Sequence, residues 1–260
     1  MNKNKKNNSI KSLNKTLKIL KLFTKEKSEW SVQEIINNLG YHRSSVQRIL
    51  TTLIKEDFIR KDEGNKNLYR LGIEIFILGK VAANELNIKK IAVQYLENLV
   101  VKTNETAHLG IVNQNQCLYI EKRESPYSIR MFSEIGKRLP LHCSAIGKAL
   151  LSGMEIDEIE KIISQQGLKK FTNNTIYDKA LLLKEIRSIK AKGFSIDNEE
   201  IEYGLRCIGA PILDSQGNTV AALSIAGPTQ RINKKVYNEF IKHVKEAAEG
   251  ISLKLGYRKQ

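Results

Sequence analysis

Acidic residues, cysteines and long apolar runs are all in short supply in this 260-residue chain. The three cysteines, Cys117, Cys143 and Cys207, are odd in number and far apart, and no C-x-x-C pair occurs. That argues against a structural zinc site and fits a reducing compartment. No apolar run reaches the roughly 18 residues that span a bilayer, so no membrane partner is expected. The opening stretch, MNKNKKNNSIKS, is basic but is not followed by an apolar segment of secretory type, so a cytoplasmic protein is expected. Lys and Arg number 43 against 28 Asp and Glu, which leaves a net charge of +15. The excess is uneven: residues 1–70 hold 16 basic against 7 acidic residues, or +9, and the other 190 carry +6. A basic N-terminal quarter suggests a polyanion-binding module, against the plainer reading of a lysine-rich tail.

Residues 1–11 lack periodicity and are expected to form a disordered basic tail. From residue 12, three helical patterns follow in close order. In SLNKTLKILKLF, Leu13, Leu17 and Leu20 recur at helical spacing, widened by Ile19 and Phe23. The second pattern opens with a capping box, Ser31 and Glu34, carries Val32, Ile35, Ile36 and Leu39 on one face, and ends at Gly40. The third sets Val46, Ile49, Leu50, Leu53 and Ile54 inward and Arg43, Ser44, Ser45, Gln47, Arg48 and Thr51 outward. Two strand-like pieces then flank the turn Asp62–Asn65.

This order predicts a winged helix-turn-helix over 12–71. The second helix would brace the third, leaving its polar face free for the major groove of double-stranded DNA. Ser44, Ser45, Gln47 and Arg48 are the candidates for reading bases. Arg43, Thr51, Lys61, Lys66 and Arg70 are the candidates for phosphates. A small helical domain with an ordinary solvated face is the plainer alternative. Residues 72–88 are expected to form a linker helix. Leu71, Ile75, Leu78 and Ala82 line one side and Ile73, Ile77 and Val81 another, which calls for burial between partners, most simply in a homodimer. Burial against its own domain is the alternative.

Beyond residue 89 the pattern changes. A helix precedes two strands joined at Asn113–Gln116, then a strand YSIRMFS (127–133), helices over 143–152, 155–165 and 178–192, a strand hairpin turning at 215–218, and a last helix near 233–255. Strands, then helices, then a hairpin give an α+β class with an antiparallel sheet.

The stretch PLHCSAIGKALL (140–151) offers two half-motifs of catalysis, and neither is complete. A phosphate-binding loop needs glycines several residues ahead of its lysine and a Ser or Thr after it; here His-Cys-Ser-Ala-Ile precedes and Ala149 follows. Adjacent His142 and Cys143 do not converge as a base and nucleophile do. A helix starting near Ser144 could face an anion with its free amides, or could be a plain capped helix in a packed domain. The acidic run DNEEIE holds Asp197, Glu199, Glu200 and Glu202. A metal there with His108 or His142 is conceivable, but acidic loops are usually solvated, and no metal, cofactor or catalytic residue is assigned. Cys207 reads as a small pocket or core residue.

Three segments together, GKRLPLHCSAIGKALL (136–151), GFSIDNEEIEYGLRCIGAPI (193–212) and AALSIAGP (221–228), make the chain resemble the IclR family of bacterial transcription regulators from about residue 12 to 257. The resemblance implies a GAF-like effector-binding domain over 89–260 and a homodimer, often a dimer of dimers. It also implies an operator controlled by a small organic acid or related catabolic metabolite, most often through repression. The positions matching the family's ligand site are Ala145, Ile146, Asp197, Cys207, Ser224 and Ala226. Two depart from it: 145 is often Gly, so a side chain narrows the approach here, and 226 is Ser in some relatives. Rival readings are a small-acid hydrolase, and a sequence-tolerant DNA-binding protein with a passive dimerisation domain.

Overall fold

The computed structural model describes residues 10–24, 27–85, 87–128 and 133–258. It divides into two compact units, Met1–Glu85 and Leu86–Gln260.

The first unit holds α1 (Lys11–Leu20), β1 (Trp30–Ser31), α2 (Val32–Leu39), α3 (Arg43–Lys55), β2 (Ile59–Lys61), β3 (Leu68–Leu71) and α4 (Ile73–Glu85). The expected capping box is present: Ser31 Oγ accepts from Glu34 N, while the Glu34 carboxylate accepts from Ser31 N at 2.8 Å. Gly40 then takes the left-handed conformation (φ 67°) that L side chains avoid, and its N–H bonds to Ile36 O to close α2. The core joins Ile19, Ile35, Val46, Leu50 and Ile59, all 1% exposed or less. The wing is three-stranded, in order β1-β3-β2, because Trp30–Ser31 pairs with Leu68–Tyr69. Two residues are too few to carry a readable alternation, so β1 is not foreshadowed by its residues.

One expectation for this unit changes. Leu13 and Leu17 are exposed; Ile19 is the anchor of α1, because the helix meets the core through its last turn. Helix α4 lies where the linker helix is expected, and within one chain it leaves Ile73, Phe76, Ile77, Leu78 and Val81 exposed.

In the second unit, α5 (Asn87–Thr103) leads into β4 (Thr106–Asn113) and β5 (Gln116–Arg123). Their two-residue turn puts Gln114 (φ 53°) and Asn115 (φ 61°) in the left-handed region that right-twisted hairpins need. Then come β6 (Arg138–Leu139), α6 (Ala145–Leu151), α7 (Ile156–Gln166), α8 (Lys179–Lys192), β7 (Ser195–Asn198), β8 (Leu205–Leu213), β9 (Thr219–Pro228) and α9 (Tyr237–Lys254). Six strands form one antiparallel sheet in the order β6-β5-β4-β9-β8-β7. Alternation assigns its faces. Leu109, Ile208, Leu223 and Ile225 pack with Leu96, Val244 and Ile251 of α5 and α9. The opposite face carries Cys117, Tyr119 and Ala222 beneath α6. Residues 129–132 of the expected strand YSIRMFS lie outside the described residues, and its flanks Tyr127, Ser128 and Ser133 are not in a strand.

Helix α6 lies close on the sheet. A side chain at Gly209 would come within 3.0 Å of the Ala145 carbonyl, and one at Gly147 within 2.6 Å of the Leu141 backbone. Small residues at these positions set the depth of the space in front of α6.

Candidate functional site

Two sites follow from these units. In the first, α3 turns Arg43, Ser44, Gln47, Arg48 and Thr51 outward as exposed residues, with Ser45 half-buried beside them. Lys61 and Lys66 are exposed on the wing. Among the described residues none of Arg43, Arg48, Lys61 and Lys66 joins an ion pair. Arg70 differs: its guanidinium is held by Asp62 and by Glu29. Asp62 also accepts from Gly64 N and Asn65 N at the wing turn, so Arg70 braces the wing's base.

The second site lies between α6 and the sheet. Pro140 and Leu141 lead to Ser144, whose hydroxyl accepts from Gly147 N at 3.0 Å and donates to Pro140 O at 2.8 Å. The Ala145 and Ile146 amides of the first turn have no acceptor within the helix. Ala145, Ile146, Asp197, Cys207 and Ser224 line one small cavity, together with Tyr119. Ala226 does not line it; it packs beside Ala145, Leu205 and Cys207, opposite Cys207 in the ladder. The cavity measures about 10 Å³, room for roughly one water.

The acidic run corrects the solvated-loop expectation. Asp197 is 1% exposed on β7 and Glu200 5%. Asp197 Oδ1 accepts from Glu200 N at 2.7 Å, and burial raises its pKa to about 7. Glu200 pairs with Lys148, a fully buried lysine one turn into α6. Burial, opposed by Lys148, pushes the Glu200 carboxyl up. This pair was not readable: Lys148 and Glu200 lie 52 residues apart, and charge is ordinarily a sign of solvent.

His108 was also missed as a pocket neighbour. It stands opposite Ser224 in the ladder, stacks on Tyr119 at 4.4 Å and bonds Ser133 Oγ through Nε2 at 2.6 Å. Burial holds its pKa down at about 3. His142 turns its Nε2 to Lys169 O at 3.0 Å, and burial drives the Cys143 thiol up, so the two form no reactive pair. Among the described residues, no group of three or more His, Cys, Asp and Glu could hold a metal ion. No described helix is long and apolar enough to cross a membrane.

A winged helix-turn-helix with an exposed basic face, joined to an α+β unit with a small cavity, defines a DNA-binding transcription regulator. Similarity to known proteins gives its lineage. Residues 12–63 match the IclR helix-turn-helix domain, and residues 80–253 match the bacterial transcriptional regulator IclR C-terminal domain. The transcriptional regulator KdgR of Dickeya chrysanthemi is 35% identical over 97% of this chain and 82% of its own length. The transcriptional repressor AllR of Escherichia coli is 32% identical over 95% of this chain and 91% of its own. The crystal structure of the Thermotoga maritima IclR matches with a TM-score of 0.76 and 32% identity, over 95% of this chain and 99% of that one. The chain belongs to the IclR family of bacterial transcription regulators.

Proposed function

We propose that this chain is a cytoplasmic repressor whose hold on its operator is set by a small carboxylate. Ser44, Ser45, Gln47 and Arg48 read base edges, and Arg43, Thr51, Lys61 and Lys66 hold phosphates. Arg70, held by two carboxylates, positions the wing. A homodimer through the exposed apolar side of α4 would set two heads on a palindrome, and two dimers could pair further. The sign of regulation follows the relative named a repressor.

The observation that carries the effector reading is one cavity gathering Ala145, Ile146, Asp197, Cys207 and Ser224 from four separate segments. First-turn amides with no acceptor in the helix and the Ser224 hydroxyl suit a carboxylate, with Ala226 shaping the wall. At about 10 Å³ the cavity must widen to admit one, so binding selects a more open state, which is how a ligand shifts a population. The test is a melting-temperature screen of the full chain against linear C2–C6 monocarboxylates and their 2-hydroxy and 2-oxo derivatives. At least one should raise the melting temperature and weaken operator binding. Asp197→Ala and Ser224→Ala should cancel both effects while leaving DNA binding intact. A flat screen would remove the carboxylate reading.

A further inference from the structure

Among the described residues, the cavity beside α6 contains an acid and no base. Asp197 lines it, and no described Lys, Arg or His does. Lys148, the buried cation among the described residues nearby, is already matched by Glu200. The remaining groups around Asp197 cannot supply positive charge. Cys207 on β8, Cys143 before α6 and Tyr119 on β5 are each pushed up by burial and stay neutral. His108 on β4 is pushed down and stays neutral as well. Lys148 and Glu200 cancel, so an ionised Asp197 leaves this buried cluster with one net negative charge.

We propose that the cavity takes up its carboxylate ligand together with one proton, which resides on Asp197 and is donated in a hydrogen bond to the bound anion. The inference rests on the carboxylate reading above and adds what Asp197 does in it. Two carboxylates a hydrogen bond apart in a buried site cannot both stay ionised, and among the described residues no basic side chain lining the cavity offsets their repulsion. A shared proton converts that repulsion into a short, charge-assisted O–H···O⁻ contact. The proton comes from solvent, and no covalent bond is made or broken. The Glu200 amide fixes Asp197 Oδ1, so the acid is held in place for this contact. Burial has already brought Asp197 to a pKa of about 7, so the proton is readily acquired at neutral pH. The selection rule is chemical: a neutral alcohol or amide of the same shape gains nothing from the proton, and a dicarboxylate meets the same missing base twice.

Calorimetric titration of the full chain with the tightest monocarboxylate of the screen tests this, run in two buffers of different ionisation enthalpy. About one proton per site should be taken up at pH 8.5 and close to none at pH 5.5. Affinity should fall about tenfold for each pH unit above 7. Asp197→Asn, which keeps a neutral donor, should bind the same acid with no proton uptake and a flat pH profile. His108→Gln should leave the uptake unchanged. If Asp197→Asn fails to fold, the proton count of the unaltered chain still decides. Binding with no uptake at pH 8.5 would overturn the proposal and leave the carboxylate reading standing. Uptake that survives in Asp197→Asn and vanishes in His108→Gln would also overturn it. If no acid binds at any pH, both readings fail together.

Discussion

The two units of this chain treat charge in opposite ways. The winged unit keeps Arg43, Arg48, Lys61 and Lys66 exposed and, among the described residues, without ion pairs. Its buried core is apolar, built on Ile19, Ile35, Val46 and Leu50. The C-terminal unit buries Lys148, Glu200, Asp197 and His108 beneath or beside α6. Unpaired surface cations suit a polyanion whose counterions they displace. Buried charge is costly and must be matched, as Lys148 and Glu200 match each other beside the cavity and Arg231 matches Glu105 away from it. The same contrast explains why one site presents a whole helix face and the other a space of about 10 Å³.

Breaking the buried side of the contrast should have the largest effect. Lys148→Met should cost about 3–5 kcal/mol of the C-terminal unit's stability by scanning calorimetry, because Glu200 is left buried and alone. Lys148→Met with Glu200→Leu should recover most of that loss. A single variant as stable as the parent would mean the pair is not buried in solution.

Asp197 gives the next effect, and its sign is fixed. Its folded pKa, about 7, lies above its ordinary 3.8, so the fold favours the protonated acid. The stability this contributes is complete below about pH 4 and is lost as pH rises to about 7. The loss amounts to a few kcal/mol at most, since each pH unit between the two values is worth about 1.4 kcal/mol. Asp197→Asn should flatten the decline of melting temperature between pH 4 and 7. An unchanged slope would mean Asp197 is solvated.

On the exposed side, Arg48→Ala should weaken specific operator binding by about 1–3 kcal/mol. Replacing Lys61 or Lys66 should weaken specific and nonspecific DNA alike, lowering the salt slope by about one each. A Lys66→Ala that altered sequence preference would rule out its phosphate role. The smallest effect belongs to Ser31→Ala, which removes the cap of α2 and should cost about 1 kcal/mol in denaturant unfolding.

What was legible divides along the same line. Helical spacing, the Ser31–Glu34 box and Gly40 set out α2, α3 and their turn, because each is a local rule acting over a few residues. The α+β class and the antiparallel sheet were equally readable from the strand runs and turn residues, including the left-handed Gln114–Asn115 turn. The exposed polar side of α3 followed as the complement of its apolar stripe. The short strands β1, β6 and β7 did not, since two to four residues carry no alternation and no turn signal pairs them as Asp62–Asn65 pairs β2 with β3. Leu13 and Leu17 misled because an apolar stripe says which face is apolar and not what covers it. Lys148 and Glu200 were invisible because a buried pair between distant residues leaves the same letters as two solvated ones. The cavity positions came through family resemblance, and spacing alone would have left Ser144 as a plain cap.

Everything proposed for the winged unit depends on its reading a defined DNA sequence through the exposed face of α3. A nuclease footprint of the full chain on the region upstream of its own gene, with a large excess of competitor DNA, tests that dependence. A short protected palindrome should survive the competitor and be lost in Arg48→Ala. Diffuse protection that competitor removes, and that Arg48→Ala leaves unaltered, would refute sequence reading by α3.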